Sequence, residues 1–275
     1  MRLVVISRPI VWLPTAGLYL GGVVMSADSS LTWAVLWGLL YFTLPVGIVV
    51  YGLNDISDRE SDAQNDRKGT VNGAVISDKE VRFITWAVAL STIIFFVPYA
   101  VTGHYWAAVG VLVQLLLAYV YSMRPFHLKG RPGLDLLSVA IVVIACVMSG
   151  LWTNVTGWGI PGWLPVHIVV VLALCAAAVH AVPEVLDYEV DKKMGDKTIA
   201  VVIGKRATLC MCAAFLAVCI PLVKVHSTAV QAYFIYATVC TALVALTNKR
   251  PAIFALVIAL IMPVPVLAAY VFIVR

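Results

Sequence analysis

Nine apolar stretches, separated by short charged loops, decide what solvent this chain can fold in. Cut at charges and at Gly/Pro/Asn clusters, they fall near 9–26, 31–53, 82–102, 105–122, 135–153, 164–185, 207–225, 228–247 and 251–273. Each approaches the roughly 20 residues that carry a helix across about 30 Å of hydrocarbon. Composition points the same way: 62% of residues are hydrophobic, 12% are charged, and mean hydropathy is +0.98. With 19 Lys and Arg and 14 Asp and Glu, a chain of 275 residues cannot cover itself in water, which excludes a disordered chain and a soluble domain. The expectation is an all-α, multi-span membrane protein of nine transmembrane helices, a single domain over 1–275. The first stretch is long enough to span and no small-residue cleavage site follows it, so the N-terminus is expected to stay on the mature protein.

In this arrangement the N-terminus shares one side with the loops 54–81, 123–134, 186–206 and 248–250. Of the 19 Lys and Arg, 17 fall there, counting the helix-edge Arg82, and only Lys224 and Arg275 lie opposite. The positive-inside rule makes that side cytoplasmic, and the plasma (cytoplasmic) membrane is the expected location. Of the 14 acids, 13 share the side and only Asp28 lies opposite, which orientation does not explain. The six cysteines lie inside spans, none in a CxxC pair, and read as packing residues. No basic run of five residues exists, so nucleic acid is not an expected partner.

The acids concentrate in two places. Asn54-Asp55-Ile56-Ser57-Asp58-Arg59-Glu60-Ser61-Asp62 follows the second stretch, and Asn54, Asp58 and Asp62 are spaced i, i+4, i+8. Asp187-Tyr188-Glu189-Val190-Asp191 follows the sixth, with Asp187 and Asp191 again at i, i+4. Helices continuing out of the membrane would carry each set on one face. Like charges on one face repel, and more so near hydrocarbon, so a cation belongs between them. Hard oxygen donors without His or Cys suit Mg²⁺, which keeps waters and binds through a few carboxylates plus a substrate's phosphates. Asn54, Asp55, Asp58, Asp62, Asp187 and Asp191 are the candidate ligands, and a metal-bound phosphate ester is the expected substrate.

Asn54-Asp55-x-x-Asp58-x-Glu60-x-Asp62 and Asp187-x-Glu189-x-Asp191-x-x-x-Gly195, with the loop Tyr121-Ser122-Met123-Arg124-Pro125-Phe126-His127-Leu128-Lys129-Gly130-Arg131-Pro132, resemble the UbiA superfamily of intramembrane prenyltransferases. The resemblance implies an all-α bundle around a lipid-accessible central cavity, and two Mg²⁺ bridged by the diphosphate of an allylic prenyl donor. The segments Ser7-Arg8-Pro9, Tyr51-Gly52-Leu53-Asn54-Asp55, Arg67-Lys68-Gly69 and Lys129-x-Arg131-Pro132-x-x-Asp135 are similar to the lycopene elongase branch. That likeness implies transfer of a dimethylallyl unit to the ends of a C40 polyene, a lipophilic acceptor reached from the membrane lipid.

Breaking an allylic C–O bond leaves charge on the departing diphosphate, so catalysis needs cations where it develops. Lys129 and Arg131, which match basic positions of the family's loop, are the first candidates beside the metal. Lys68, Lys197, Arg8 and Arg124 are further donor-binding candidates. Tyr51, Tyr121 and Tyr188, near the cytoplasmic span ends, are candidates to shield the carbocation. His180 could accept a proton, but reads first as a hydrogen-bonded core residue. Within the superfamily the alternatives are an aromatic or quinone-precursor prenyltransferase, a glycerolipid-forming enzyme and a terpene cyclase. From another class, the carboxylates could line the path of a divalent-cation transporter.

Overall fold

Proline, glycine and small polar caps cut this chain into helices, and hydrocarbon obliges those helices to satisfy their own backbone groups. The computed structural model describes residues 2–62, 74–159, 162–223 and 228–261, with only the backbone of Ser61 and Asp62. Every regular element among the described residues is helical. In order they are α1 (Arg2–Ile6), a 3₁₀ turn (Pro9–Val11), α2 (Trp12–Met25), α3 (Trp33–Tyr41), α4 (Leu44–Asp62), α5 (Asp78–Val101), α6 (Tyr105–Ser122), a 3₁₀ turn (Leu128–Gly130), α7 (Leu134–Trp152), α8 (Val166–Met194), α9 (Ile199–Ile203), α10 (Lys205–Val223), α11 (Thr228–Thr247) and α12 (Arg250–Ile261).

Seven segments among the described residues are long and apolar enough to cross a membrane: Trp33–Glu60, Asp78–Val101, Tyr105–Ser122, Leu134–Trp152, Val166–Met194, Lys205–Val223 and Thr228–Thr247. The first and ninth expected stretches are represented by the shorter apolar helices Pro9–Met25 and Arg250–Ile261, and 262–273 lies outside the described residues. The second stretch is also not one uninterrupted helix. Pro45, in the first turn of α4, has no N–H to give and its ring would meet the carbonyl four residues back, so α3 stops at Tyr41 and α4 starts at Leu44.

Two helices outrun the spans expected of them. α4 continues to Asp62, and α8 runs 29 residues through Pro183 to Met194. At 1.5 Å per residue α8 is about 43 Å long, more than the hydrocarbon thickness, so its last turns reach the aqueous boundary. Gly195 ends it in the left-handed region at φ 81°, with its N–H on the Asp191 carbonyl.

The described chain forms two compact units, one from Met1–His127 with Ala145–Trp163, the other from Leu128–Ile144 with Leu164–Leu267. In the first, Ile6, Ile48, Val49, Ile56, Ile84 and Val88 join α1, α4 and α5 in one apolar core. In the second, Ala178, Ala181 and Val182 give α8 a small-residue face, against which Leu209, Cys212 and Leu216 of α10 pack. All six cysteines are free, and Cys146, Cys212 and Cys219 are buried, in keeping with a packing role.

Candidate active site

In the first unit the polar end of α4 carries the first acidic cluster. Asn54 Nδ2 donates to Asp58 Oδ2 at 2.8 Å, one turn on, so amide and carboxylate stand side by side on one face as the spacing requires. Asp58 is 6% exposed. The backbone of the same helix reaches Asp62, whose side chain lies outside the described set, as does all of Lys68. Ser57 Oγ donates 2.7 Å to the Ser122 carbonyl and ties this end of α4 to the end of α6. At the end of α6 Tyr121 is half-buried, and beyond it Arg124 is exposed.

Asp55, one of the expected ligands, is engaged by an arginine in this structure. Its side chain is fully buried; Oδ1 accepts from Arg8 Nη2 at 3.1 Å, and Oδ2 accepts from the Ala74 N–H at 3.3 Å. The Arg8 guanidinium lies 4.2 Å from the centre of the Tyr51 ring. A carboxylate buried to this degree requires a counter-charge, and the guanidinium 47 residues earlier supplies it. Arg8, Tyr51 and Asp55, expected on the donor and the metal, are engaged with one another. Arg8 is also held at φ 50°, in the left-handed region that is costly for a side-chain-bearing residue. Arg8→Met should therefore lower stability by about 3 kcal/mol, because it leaves a buried carboxylate without its guanidinium. Thermal unfolding of the detergent-solubilised protein checks this. Arg8→Met/Asp55→Leu should recover most of the loss, and equal Tm values for Arg8→Met and the unaltered chain would rule the pair out as a structural element.

In the second unit Asp187 and Asp191 lie one turn apart near the end of α8, both part-exposed. Thr198 Oγ1 donates to Asp191 Oδ2 at 3.3 Å. The Lys129 ammonium, on the 3₁₀ turn before α7, acts electrostatically on Asp191. Lys129 therefore belongs to the surroundings of the second carboxylate set. Arg131 and Lys197 are exposed in the loops before α7 and after α8. Tyr188 departs from expectation: Lys205 Nζ sits 4.6 Å and Lys192 Nζ 5.8 Å from its ring centre, and Lys205 also pairs with Glu189 at 2.8 Å. One residue is 100° of helix, which turns Tyr188 off the Asp187–Asp191 face and toward these lysines.

Among the described residues no three His, Cys, Asp or Glu side chains converge into a metal cage. A closed cage is not what Mg²⁺ requires; it binds through one or two carboxylates, waters and phosphate oxygens. The donor chemistry of Asn54 with Asp58, and of Asp187 with Asp191, fits that mode. Two further carboxyls are buried, Asp135, which closes the segment Lys129-x-Arg131-Pro132-x-x-Asp135, and Glu184, which the acidic spacing does not include. The available signal is that both interrupt otherwise apolar segments.

Residues 15–274 match the UbiA prenyltransferase family. The chain belongs to that family. It is accordingly a prenyltransferase, and the transporter alternative falls away. Over 210 residues it is 29% identical to the lycopene elongase/hydratase of Corynebacterium glutamicum, covering 76% of this chain and 72% of that one. It is 30% identical over 223 residues to the lycopene elongase/hydratase of Haloferax volcanii, covering 77% and 68%. Among solved structures, a UbiA homologue from Archaeoglobus fulgidus bound to DMAPP and Mg²⁺ superposes with a TM-score of 0.72 at 20% identity, covering 100% of both chains. At that identity the likeness is one of fold, and it supports the multi-span helical UbiA architecture.

Proposed function

We propose that this UbiA prenyltransferase moves a dimethylallyl group from its diphosphate to the end of a carotenoid, with lycopene the preferred acceptor. The observation that carries the reading is the pair of oxygen-donor sets, Asn54 with Asp58 on α4 and Asp187 with Asp191 on α8, each at the polar end of a long apolar helix. The lycopene elongase/hydratase relatives support the acceptor, and the DMAPP and Mg²⁺ bound to the Archaeoglobus fulgidus homologue support donor and metal. The whole chain, 1–275, acts as one prenyltransferase domain, with these helix ends at the cytoplasmic face of the plasma membrane.

In this mechanism Asn54, Asp58 and Asp62 would hold one Mg²⁺, and Asp187 and Asp191 would hold a second. When bound, the metal would supply Lewis acidity that stabilises charge on the leaving group. Lys129 and Arg131 add cationic charge, with Lys68, Lys197 and Arg124 further out. Tyr121 contributes an aromatic face beside the donor. The polyene enters from the bilayer, and enclosure keeps water from the allylic cation. Membranes containing the protein, given DMAPP, Mg²⁺ and lycopene, should yield C45 and C50 products by mass. Product from an aromatic acid or a glycerol phosphate, with none from lycopene, would overturn the acceptor; no prenyl product from any acceptor would overturn the activity.

A further inference from the structure

α8 carries more polar chemistry than the metal-binding reading uses. His180, Glu184, Asp187 and Asp191 are spaced i, i+4, i+7 and i+11, which sets all four on one helix face. Measured along the axis from Asp187 toward the apolar part, Glu184 lies about 4.5 Å away and His180 about 10 Å away. The Glu184 side chain is 8% exposed and that of His180 is 24% exposed, with His180 Nε2 3.4 Å from Glu184 Oε1. Asp135, in the first turn of α7, is fully buried and acts electrostatically on Glu184, which is buried too.

The Asp135 oxygens also accept backbone N–H groups, Leu136 on Oδ1 at 2.7 Å and Ile199 on Oδ2 at 3.3 Å. Among the described residues no hydrogen bond meets either Glu184 oxygen. Two interacting carboxyls, both buried, do not both ionise, so the pair holds a proton. One proton and one negative charge shared by two acids leave room for one proton more. The charged and titratable neighbours are Lys129 beside His180, and Asp191 and Cys212 beside Glu184.

We propose that His180, Glu184 and Asp135 are the proton-accepting relay that ends the transfer. The proposal rests on the prenyl-transfer reading given above. The allylic C–O bond breaks and its electron pair leaves with the diphosphate. The π pair of the acceptor's terminal double bond forms the new C–C bond to the allylic carbon, leaving a tertiary cation on the acceptor. An adjacent C–H bond then supplies the electrons of a new double bond and its proton goes to the His180 imidazole. Nε2 passes a proton across the 3.4 Å contact to Glu184, and Asp135 shares the resulting change of charge. The proton returns to water between turnovers. Hydrocarbon holds no base of its own, so a fixed acceptor on the apolar side of the diphosphate site decides whether the cation ends as an alkene or is captured by water as an alcohol.

Glu184→Gln and His180→Gln test this in membranes given DMAPP, Mg²⁺ and lycopene, by following diphosphate release, DMAPP affinity and product mass separately. In both variants DMAPP affinity should stay within about twofold of the unaltered chain while alkene formation falls about 10²-fold or more. The remaining product should shift toward the species heavier by one water. If Glu184→Gln does not fold, His180→Gln carries the test, since its ring is partly exposed. Unchanged alkene rate and unchanged alkene-to-alcohol ratio would overturn the relay and assign the base to the departing diphosphate. Failure of the unaltered chain to elongate any acceptor would instead remove the functional reading beneath it.

Discussion

Asp58→Ala and Asp191→Ala should each lower kcat/KM for DMAPP by about 10³-fold or more while leaving the amount of inserted, folded protein unchanged. Lewis-acid stabilisation of a leaving phosphate is worth several kcal/mol, and 1.36 kcal/mol is a factor of ten, so losing one ligand's share reaches this size. Neither side chain is a packing group. Asp58 is held by the Asn54 amide and Asp191 by the Thr198 hydroxyl. Alanine keeps both helices intact, being the best helix former. Asn54→Ala should cost less, because an amide contributes an oxygen without charge and its loss leaves the Asp58 carboxylate in place. Raising Mg²⁺ should restore part of the activity of Asp191→Ala, a response that a purely structural defect would not give. Asp55→Asn provides the contrast, with Tm reduced before turnover, since its carboxylate serves Arg8. Near-normal turnover in either alanine variant would remove these carboxylates from the metal site.

The contrast between Asp58 and Asp55 shows where sequence reasoning works and where it stops. Spacing at i and i+4 is a property of one helix, so the pairing of Asn54 with Asp58 and the shared face of Asp187 and Asp191 are legible in the order of residues alone. So are the apolar stretches, because hydrocarbon permits few backbone conformations. Contacts that close over long separations leave no periodic trace. Nothing local in Arg8 announces that it reaches Asp55 and covers Tyr51, and nothing in Glu184 announces Asp135, 49 positions earlier. Tyr188 shows the angular limit of the same reasoning, since adjacency to Asp187 in sequence is a turn of 100° away from it in space. Pro45 is a local signal: a proline after ten apolar or small residues from Ala34 to Leu44, apart from Thr43, does break the second stretch, and its position gives the place.

Gly22→Val and Gly150→Val should each destabilise the protein by about 3 kcal/mol or more, the upper end for overpacking, and most copies should be lost on extraction into detergent. A Cβ on Gly22 would stand 1.8 Å from the Val147 carbonyl oxygen, and one on Gly150 would stand 1.9 Å from that of Tyr19. α2 and the end of α7 thus meet backbone to backbone, and the obstructing atoms belong to helical main chain that cannot swing aside. Close approach through small residues is how helices gain contact in lipid, where the hydrophobic effect does not drive them together. Separating the pair would also break the hydrogen bond of 3.0 Å from Tyr19 Oη to Thr153 Oγ1 in a buried setting, since Tyr19 is 1% exposed, and leave that hydroxyl its 3.2 Å contact with the Val35 carbonyl. Gly21→Ala is the control: its Cβ would meet nothing within 4 Å, and alanine in a helix is better than glycine by about 1 kcal/mol. Fluorescence-detected thermal unfolding should therefore rank Gly21→Ala at or above the unaltered chain and both valine variants far below it. A valine variant as stable as Gly21→Ala would mean that α2 and α7 do not cross where their glycines place them.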